Sequence, residues 1–161
     1  MAAIAPAFLS RVYQMDEISR NLYLGPMESA KTIDKPSNKN KWFVLSIMEN
    51  PPKLRYVKQL EIHLSDHHST NICKWFDLAY EAILQHLKEG KKVLVHCRMG
   101  ISRSASVMIA FLMRANGWTA QHSQEYVETK RPWINPNSGF IRQIQVYEVY
   151  LAHPELRAAK K

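Results

Sequence analysis

His96-Cys97-Arg98-Met99-Gly100-Ile101-Ser102-Arg103-Ser104 is the segment of this chain whose residue types and spacing could do chemistry. It follows Lys92-Val93-Leu94-Val95-His96, an apolar, β-branched run of the kind buried on both faces of a sheet. It precedes a nearly continuous apolar stretch from Ser104 to Asn116 that reads as a buried helix stopped by Gly117. Strand, loop and helix in that order bring the unpartnered first N–H groups of the helix to the loop, where the macrodipole also favours an anion. The five residues between Cys97 and Arg103 can form one tight turn whose amides converge on a phosphate, with Gly100 supplying a backbone angle that most residues resist.

Arg98, Met99, Gly100, Ile101, Ser102 and Arg103 are therefore the candidate substrate-binding residues. Arg103 can close the cup with two parallel hydrogen bonds from its planar fork. Cys97 would lie on the floor, where amides and the positive helix end lower its pKa and leave a thiolate able to attack phosphorus. Ser104 is placed to stabilise that thiolate as it leaves, and His96 to orient the loop by hydrogen bonding.

A departing alkoxide or phenolate needs a proton, so an acid must stand near the cup. Asp66 is the candidate, because Leu60-Glu61-Ile62-His63-Leu64 alternates as a strand that ends before Ser65-Asp66 and so leaves Asp66 on a loop. His67 and His68 are the adjacent alternatives, imidazole being a group that titrates near neutrality. Asp77 falls in a helix and reads as a solvated surface charge.

The form HC-x5-R-S resembles the signature loop of cysteine-dependent protein phosphatases, and specifically the dual-specificity type. Asn21-Leu22-Tyr23-Leu24-Gly25 is similar to the opening strand of that family, and Arg131-Pro132 through Pro136-Asn137 to Phe140 to its closing segment. The run HCRMGISRSAS followed by Gly117-Trp118 is locally most similar to slingshot-type members, whereas residues 25 to 60 match less well. The placement of Asp66 before Cys97 is also similar to that of the family's acid. The resemblance implies a phosphatase that hydrolyses phosphotyrosine and phosphoserine or phosphothreonine through a cysteinyl-phosphate intermediate, in a shallow pocket, on phosphorylated protein substrates. The alternatives are phosphoinositide or RNA 5′ phosphates handled by the same chemistry, and a catalytically silent phospho-binding module. Against the lipid reading, the loop offers Arg98 beside apolar Met99 and Ile101 rather than lysines.

The elements that must position these residues form a consistent pattern. Glu17 to Leu24 reads as one strand closed by Gly25-Pro26, Trp42 to Ile47 as a second apolar run, and Lys92 to His96 as the central strand. Cys73 to Glu89 carries Phe76, Ala79, Tyr80, Ile83 and Leu87 at helical spacing, with Gly90 as its stop. Thr119 is placed to cap a helix to Lys130, and Asn137 or Ser138 to cap another whose stripe is Phe140, Ile144, Tyr147 and Leu151, with Pro154 at its end. The stretch from Lys31 to Lys41 reads as a surface loop. Strands early and helices late imply an α/β, three-layer domain with a central twisted, mainly parallel sheet flanked by helices, like that of the cysteine phosphatases.

The chain has 161 residues, 46% hydrophobic and 22% charged, which fits one catalytic domain over residues 1–161 with short flexible termini, and excludes a collagen-like or wholly disordered chain. A net charge of +8 favours anionic partners. Two cysteines, Cys73 and Cys97, are too few for a secreted disulfide framework, and Cys73 reads as a core or helix-start residue. The start, Met1-Ala2-Ala3-Ile4-Ala5-Pro6, has no basic leader followed by a sustained apolar run, and no stretch approaches a membrane span. A cytoplasmic protein, with the nucleus as a second location, is expected. Seven histidines lack metal-ligand spacing, so no metal and no other cofactor is expected, and no pattern of stacking aromatics marks a nucleic-acid partner. Trp118 and Trp133 are expected to pack near helix turns, and Lys160-Lys161 to be solvated charge.

Overall fold

The protein is described by a computed structural model over residues 4–158. Five strands, β1 (Asp16–Ser19), β2 (Leu22–Gly25), β3 (Trp42–Ile47), β4 (Lys58–Ile62) and β5 (Lys92–His96), form one sheet in the order β1-β2-β5-β3-β4. The β2–β5, β5–β3 and β3–β4 pairs are parallel, and only β1–β2 is antiparallel. All six residues of β3 and the last four of β5 are buried, as befits strands covered on both faces.

The period-two alternation of these strands sorts their side chains between two apolar layers. Phe43, Leu45, Ile47, Val93 and Val95 point into the larger one. There they meet α3 (Phe76–Lys88), α4 (Arg103–Asn116), α5 (Ala120–Lys130) and α6 (Ser138–Ala152). Trp42, Val44 and Leu94 point the other way, onto Ala30 and Ile33 of a short helix, Met27–Ile33, and onto Val57. That short helix is α2, since a further helix, α1 (Ile4–Val12), precedes the sheet; α7 (Pro154–Ala158) ends the described chain. Ten residues of α4 in succession, Ser104 to Met113, are buried, because this helix runs through the middle of the larger layer.

Several local signals operate as their chemistry requires. Thr119 Oγ1 accepts from His122 N at 3.1 Å and starts α5, and Asn137 Oδ1 accepts from Phe140 N at 2.9 Å and starts α6. Gly117, at φ 69°, closes α4 in the left-handed conformation.

Other expectations are corrected. The single strand expected over Glu17–Leu24 is a hairpin, β1 and β2, turned at Arg20-Asn21 without a glycine; Asn21 takes φ 64°, which asparagine tolerates better than most residues. The strand expected over 60–64 lies at Lys58–Ile62, because its pairing with β3 ends at Ile47 opposite Ile62. The helix expected from Cys73 opens with a 3-10 turn, Cys73–Trp75, before α3, and the helix after the cup starts at Arg103. The loop expected over Lys31–Lys41 begins inside α2 and contains a 3-10 turn at Pro36–Asn38. The first three residues of the leader reading, Met1–Ala3, and the Lys160-Lys161 pair lie outside the described residues.

Asp34 ties the segment after α2 to the loop before β4. Its carboxylate accepts from the backbone N–H groups of Arg55, Tyr56 and Val57 at 2.7, 2.8 and 3.0 Å. Burial pushes the Asp34 carboxyl up, but these three amides and the nearby Arg55 charge outweigh it and hold the carboxyl below its usual range. A depressed folded-state pKa contributes stability that is present above the unfolded value of 3.8 and is lost as pH falls through the lower folded value. Asp34→Ala should therefore cost about 1–2 kcal/mol at neutral pH, measured by urea unfolding, and the difference from the parent should shrink in strong acid. Equal stability of the two proteins at pH 7 would refute the tie.

Candidate active site

The cup between β5 and α4 is made by holding its carbonyls outward. Cys97 O faces His96 Nδ1 at 2.8 Å, and Arg98 O accepts from Met27 N at 3.0 Å. Met99 O and Gly100 O accept from the Arg131 guanidinium at 2.9 and 2.8 Å, and Ile101 O from Asn135 N at 2.8 Å. Ser102 O accepts from Ser106 N and Oγ at 2.9 and 2.7 Å. In a planar trans peptide the N–H opposes the C=O, so anchoring successive carbonyls on the outside turns the amides toward the inside. Gly100 takes φ 69°, a left-handed conformation, and a Cβ there would stand 2.6 Å from Gly25 C at the end of β2.

Cys97 is 3% exposed at the floor of a depression of about 270 Å³, lined also by Asp66, Arg98, Met99, Ile101, Ser102 and Arg103. Its Sγ receives Gly100 N–H at 3.2 Å and Ser104 O–H at 3.0 Å. Burial pushes the thiol up, but the Ser104 hydroxyl and amide, the Arg103 charge and the Ile101 amide outweigh it and lower its pKa. Arg103 is steadied by Leu64 O, which accepts from it at 3.2 Å, while its buried Nε–H has no protein acceptor among the described residues. A donor left this way beside the Cys97 sulfur suits an anionic oxygen.

Asp66 is brought to the same depression from the loop after β4. Its Oδ1 accepts from Ser102 Oγ at 2.7 Å and from Asn137 Nδ2 at 2.9 Å. Both directions are forced: Ser102 Oγ itself accepts from Asn137 N at 3.0 Å, and Asn137 Oδ1 is occupied by Phe140 N. The Ser102 side chain thus serves the acid, not the cup, and only its backbone is left for an anion. The loop is also seated by Gly139, where a Cβ would fall 1.8 Å from His68 O. His67 and His68 are exposed and lie against each other with ring centroids 4.1 Å apart. Asp77 is no free surface charge: it accepts from Arg114 at 2.9 Å, Tyr147 at 2.6 Å and Tyr150 at 3.1 Å, joining α3, α4 and α6, and it does not line the depression over Cys97.

His96 is fixed from both sides. Gln59 Nε2 donates to Ser46 Oγ at 2.8 Å, so the serine hydrogen is directed to His96 Nε2 at 2.6 Å and Nδ1–H donates to Cys97 O. Burial brings the His96 pKa down to about 4, so the ring stays neutral and positions the first peptide of the cup. Ser46, Gln59, Asn137 in its second role, and above all Arg131 are site residues that sequence reasoning did not assign. Arg131 is 0% exposed and donates also to Val12 O, Gln14 O and Asp16 Oδ2, each within 2.8–2.9 Å. No group of three metal-ligating side chains occurs among the described residues, and Cys73 and Cys97 form no disulfide.

Two outcomes follow from this construction. Arg131→Met should destabilise the fold by about 3–5 kcal/mol, since it strands buried carbonyls and Asp16, and the folded fraction should bind vanadate more weakly, with Arg131→Lys intermediate; thermal melts and vanadate inhibition read the two effects, and unchanged vanadate affinity would disprove the propping role. Gly139→Ala should push the acid loop away and slow turnover of phosphate esters with poor leaving groups by about tenfold or more while sparing activated esters. An equal effect on both ester classes would count against it.

Comparison with known proteins agrees with the geometry. The dual specificity phosphatase catalytic-domain family matches residues 22–150. The chain is 36% identical over 135 residues to the tyrosine-protein phosphatase yvh1 of Schizosaccharomyces pombe, covering 83% of this chain and 41% of that one. It is 34% identical over 142 residues to the protein phosphatase Slingshot of Drosophila melanogaster, covering 83% of this chain but 13% of that one. The chain thus spans less than half the length of these relatives. The crystal structure of the human tyrosine phosphatase-like serine/threonine/tyrosine-interacting protein superposes with a TM-score of 0.80 at 33% identity, covering 88% of this chain and 99% of that one. With most of its length matched, a three-layer α/β fold in common and the cup in place, the chain belongs to the dual specificity phosphatase catalytic-domain family.

Proposed function

We propose that this protein hydrolyses phosphotyrosine and phosphoserine or phosphothreonine in protein substrates through a cysteinyl-phosphate intermediate. The observation that carries this reading is that Cys97 and Arg103 on one loop and Asp66, remote from them in sequence, line one depression, with Gly100 N–H and Ser104 O–H donating to a sulfur whose pKa is lowered. Sγ attacks phosphorus as the ester P–O bond breaks, Arg103 and the inward amides bind the equatorial oxygens, and Asp66 gives its proton to the leaving oxygen. Because Oδ1 already accepts two hydrogen bonds, that proton is carried on Oδ2. In the second step water attacks the phosphoryl group, Asp66 takes its proton, and Ser104 stabilises the departing thiolate. The products are the alcohol and inorganic phosphate.

A cytoplasmic location, shared with the nucleus, and a role in signalling belong to the same proposal. A compartment that keeps thiols reduced is what supports the location, because the chemistry needs a reduced Cys97.

Pure protein should hydrolyse p-nitrophenyl phosphate in a vanadate-sensitive manner, and Cys97→Ser should abolish turnover; persistent activity would reject covalent catalysis through sulfur. Asp66→Asn should retain binding and lose about 10²–10⁴-fold in turnover of poor leaving groups. A panel of phosphopeptides, phosphoinositides and RNA 5′ phosphates decides the substrate class, and preference for either of the last two would overturn the protein-substrate reading.

A further inference from the structure

The parallel strands have a second end. Lys31, Lys35, Lys39 and Lys41 fall in one stretch whose sole acid, Asp34, is already occupied by three backbone amides. The sheet adds to them: its register sets Lys92 beside Trp42 and Lys58 beside Phe43, and Lys92 N donates to Lys41 O at 2.9 Å. β3, β4 and β5 all begin at this pole, and β5 ends at the cup roughly 13 Å away by its rise per residue. Asn21, Asn40, Lys41, Trp42, Lys91 and Lys92 line a cleft of about 470 Å³ here, more voluminous than the depression of about 270 Å³ over Cys97.

The cleft lining carries three lysines, Lys41, Lys91 and Lys92, and one acid, Glu89. Lys91 pairs with Glu89 at 3.1 Å, and the Lys92 ammonium lies 5.6 Å over the Trp42 ring. Lys41 in the cleft, and Lys39 and Lys58 outside its lining at the same pole, are exposed and have no ion-pair partner among the described residues, so the positive charge of the pole exceeds what Glu89 answers. We propose that this lysine-lined cleft, at the pole opposite the catalytic cup, binds an acidic stretch of a partner polypeptide.

The occupant follows from what the pole offers and what it lacks. Ammonium groups on flexible stems are point charges that meet carboxylates in many geometries, and the Asn21 and Asn40 amides present both a donor and an acceptor to a peptide backbone. A lipid surface needs apolar side chains as well as charge, and the large apolar side chains exposed among the described residues, such as Phe8, Leu78, Val146 and Leu156, belong to other segments. Single-stranded nucleic acid needs a free aromatic face, whereas Trp42 is 7% exposed beneath Lys92. Binding here does not involve Cys97 and goes beyond the phosphatase reading.

Fluorescence anisotropy with a short labelled Asp/Glu-rich peptide tests the proposal. Saturable binding that weakens with added salt is expected, and the combined Lys39→Glu, Lys41→Glu, Lys92→Glu variant should weaken it by about tenfold or more. A control variant carrying Lys53→Glu, Lys74→Glu and Lys130→Glu has the same net charge and should retain near-parental affinity. Hydrolysis of p-nitrophenyl phosphate and the thermal melt should be unaltered in the cleft variant, which keeps folding and catalysis apart from docking; the milder Lys→Gln set covers a failure to fold. Absence of saturable binding, equal weakening by both charge reversals, or tighter binding of phosphatidylserine vesicles or single-stranded RNA through the same lysines would each overturn the proposal.

Discussion

The site depends on the outward anchoring of the cup's carbonyls, and the central anchor is a buried guanidinium. A backbone turn cannot direct several N–H groups to one point unless the opposing C=O groups are satisfied elsewhere. Here the carbonyls of residues 97 to 102 are taken up in order by His96, Met27, Arg131 twice, Asn135 and Ser106. With its outer face tied down, the cup is formed before any anion arrives. Preorganised dipoles of this kind need no reorientation as charge develops on the phosphoryl oxygens.

Burying Arg131 has a cost that only complete satisfaction can offset. Its Nε and two terminal nitrogens reach four carbonyls and one carboxylate, that of Asp16 at 2.9 Å. Two of those carbonyls belong to Val12 and Gln14, so the segment leading into β1 is part of the support of the active site although it contributes nothing to the chemistry. Met15 closes the same stack: a Cβ on Gly25 would lie 2.7 Å from the Met15 Cβ, and one on Gly100 would run into Gly25. Close backbone approach, more than turn geometry, requires glycine at position 25.

What could be read in the sequence was what a short stretch of chain decides by itself. Lys92–His96 is apolar and β-branched enough to be central, Gly117 stops a helix, and HC-x5-R-S places a nucleophile and an anion clamp on one turn. Asp66 could be located because the strand before it ends close by. Arg131 could not be assigned, because at the end of α5 it looks like any basic residue near a helix C-terminus, and its acceptors are distributed over two distant segments, residues 12–16 and 99–100. Ser46 stands in a buried strand with no mark that its hydroxyl orients His96. The β1–β2 hairpin is not legible since Arg20-Asn21 lacks the glycine that announces most tight turns, and α2 is not because its two buried apolar residues, Ala30 and Ile33, leave too short a periodic signal.

The acid and the cup are joined more closely than a nucleophile and a proton donor need to be. Ser102 begins α4 and donates to Asp66, while Asn137 begins α6, donates to the same oxygen and also donates its backbone N–H to Ser102. If the cup opened, Ser102 would withdraw, and Oδ1 would lose one of the two donors that fix the carboxyl rotation. The same contact then leaves Asn137 N unsatisfied and weakens the start of α6, whose Gly139 seats the backbone of His68. Proton transfer is therefore in position only when the anion-binding turn is formed, so the order imposed by Arg131 on one side of the loop is passed by Ser102 to the acid on the other.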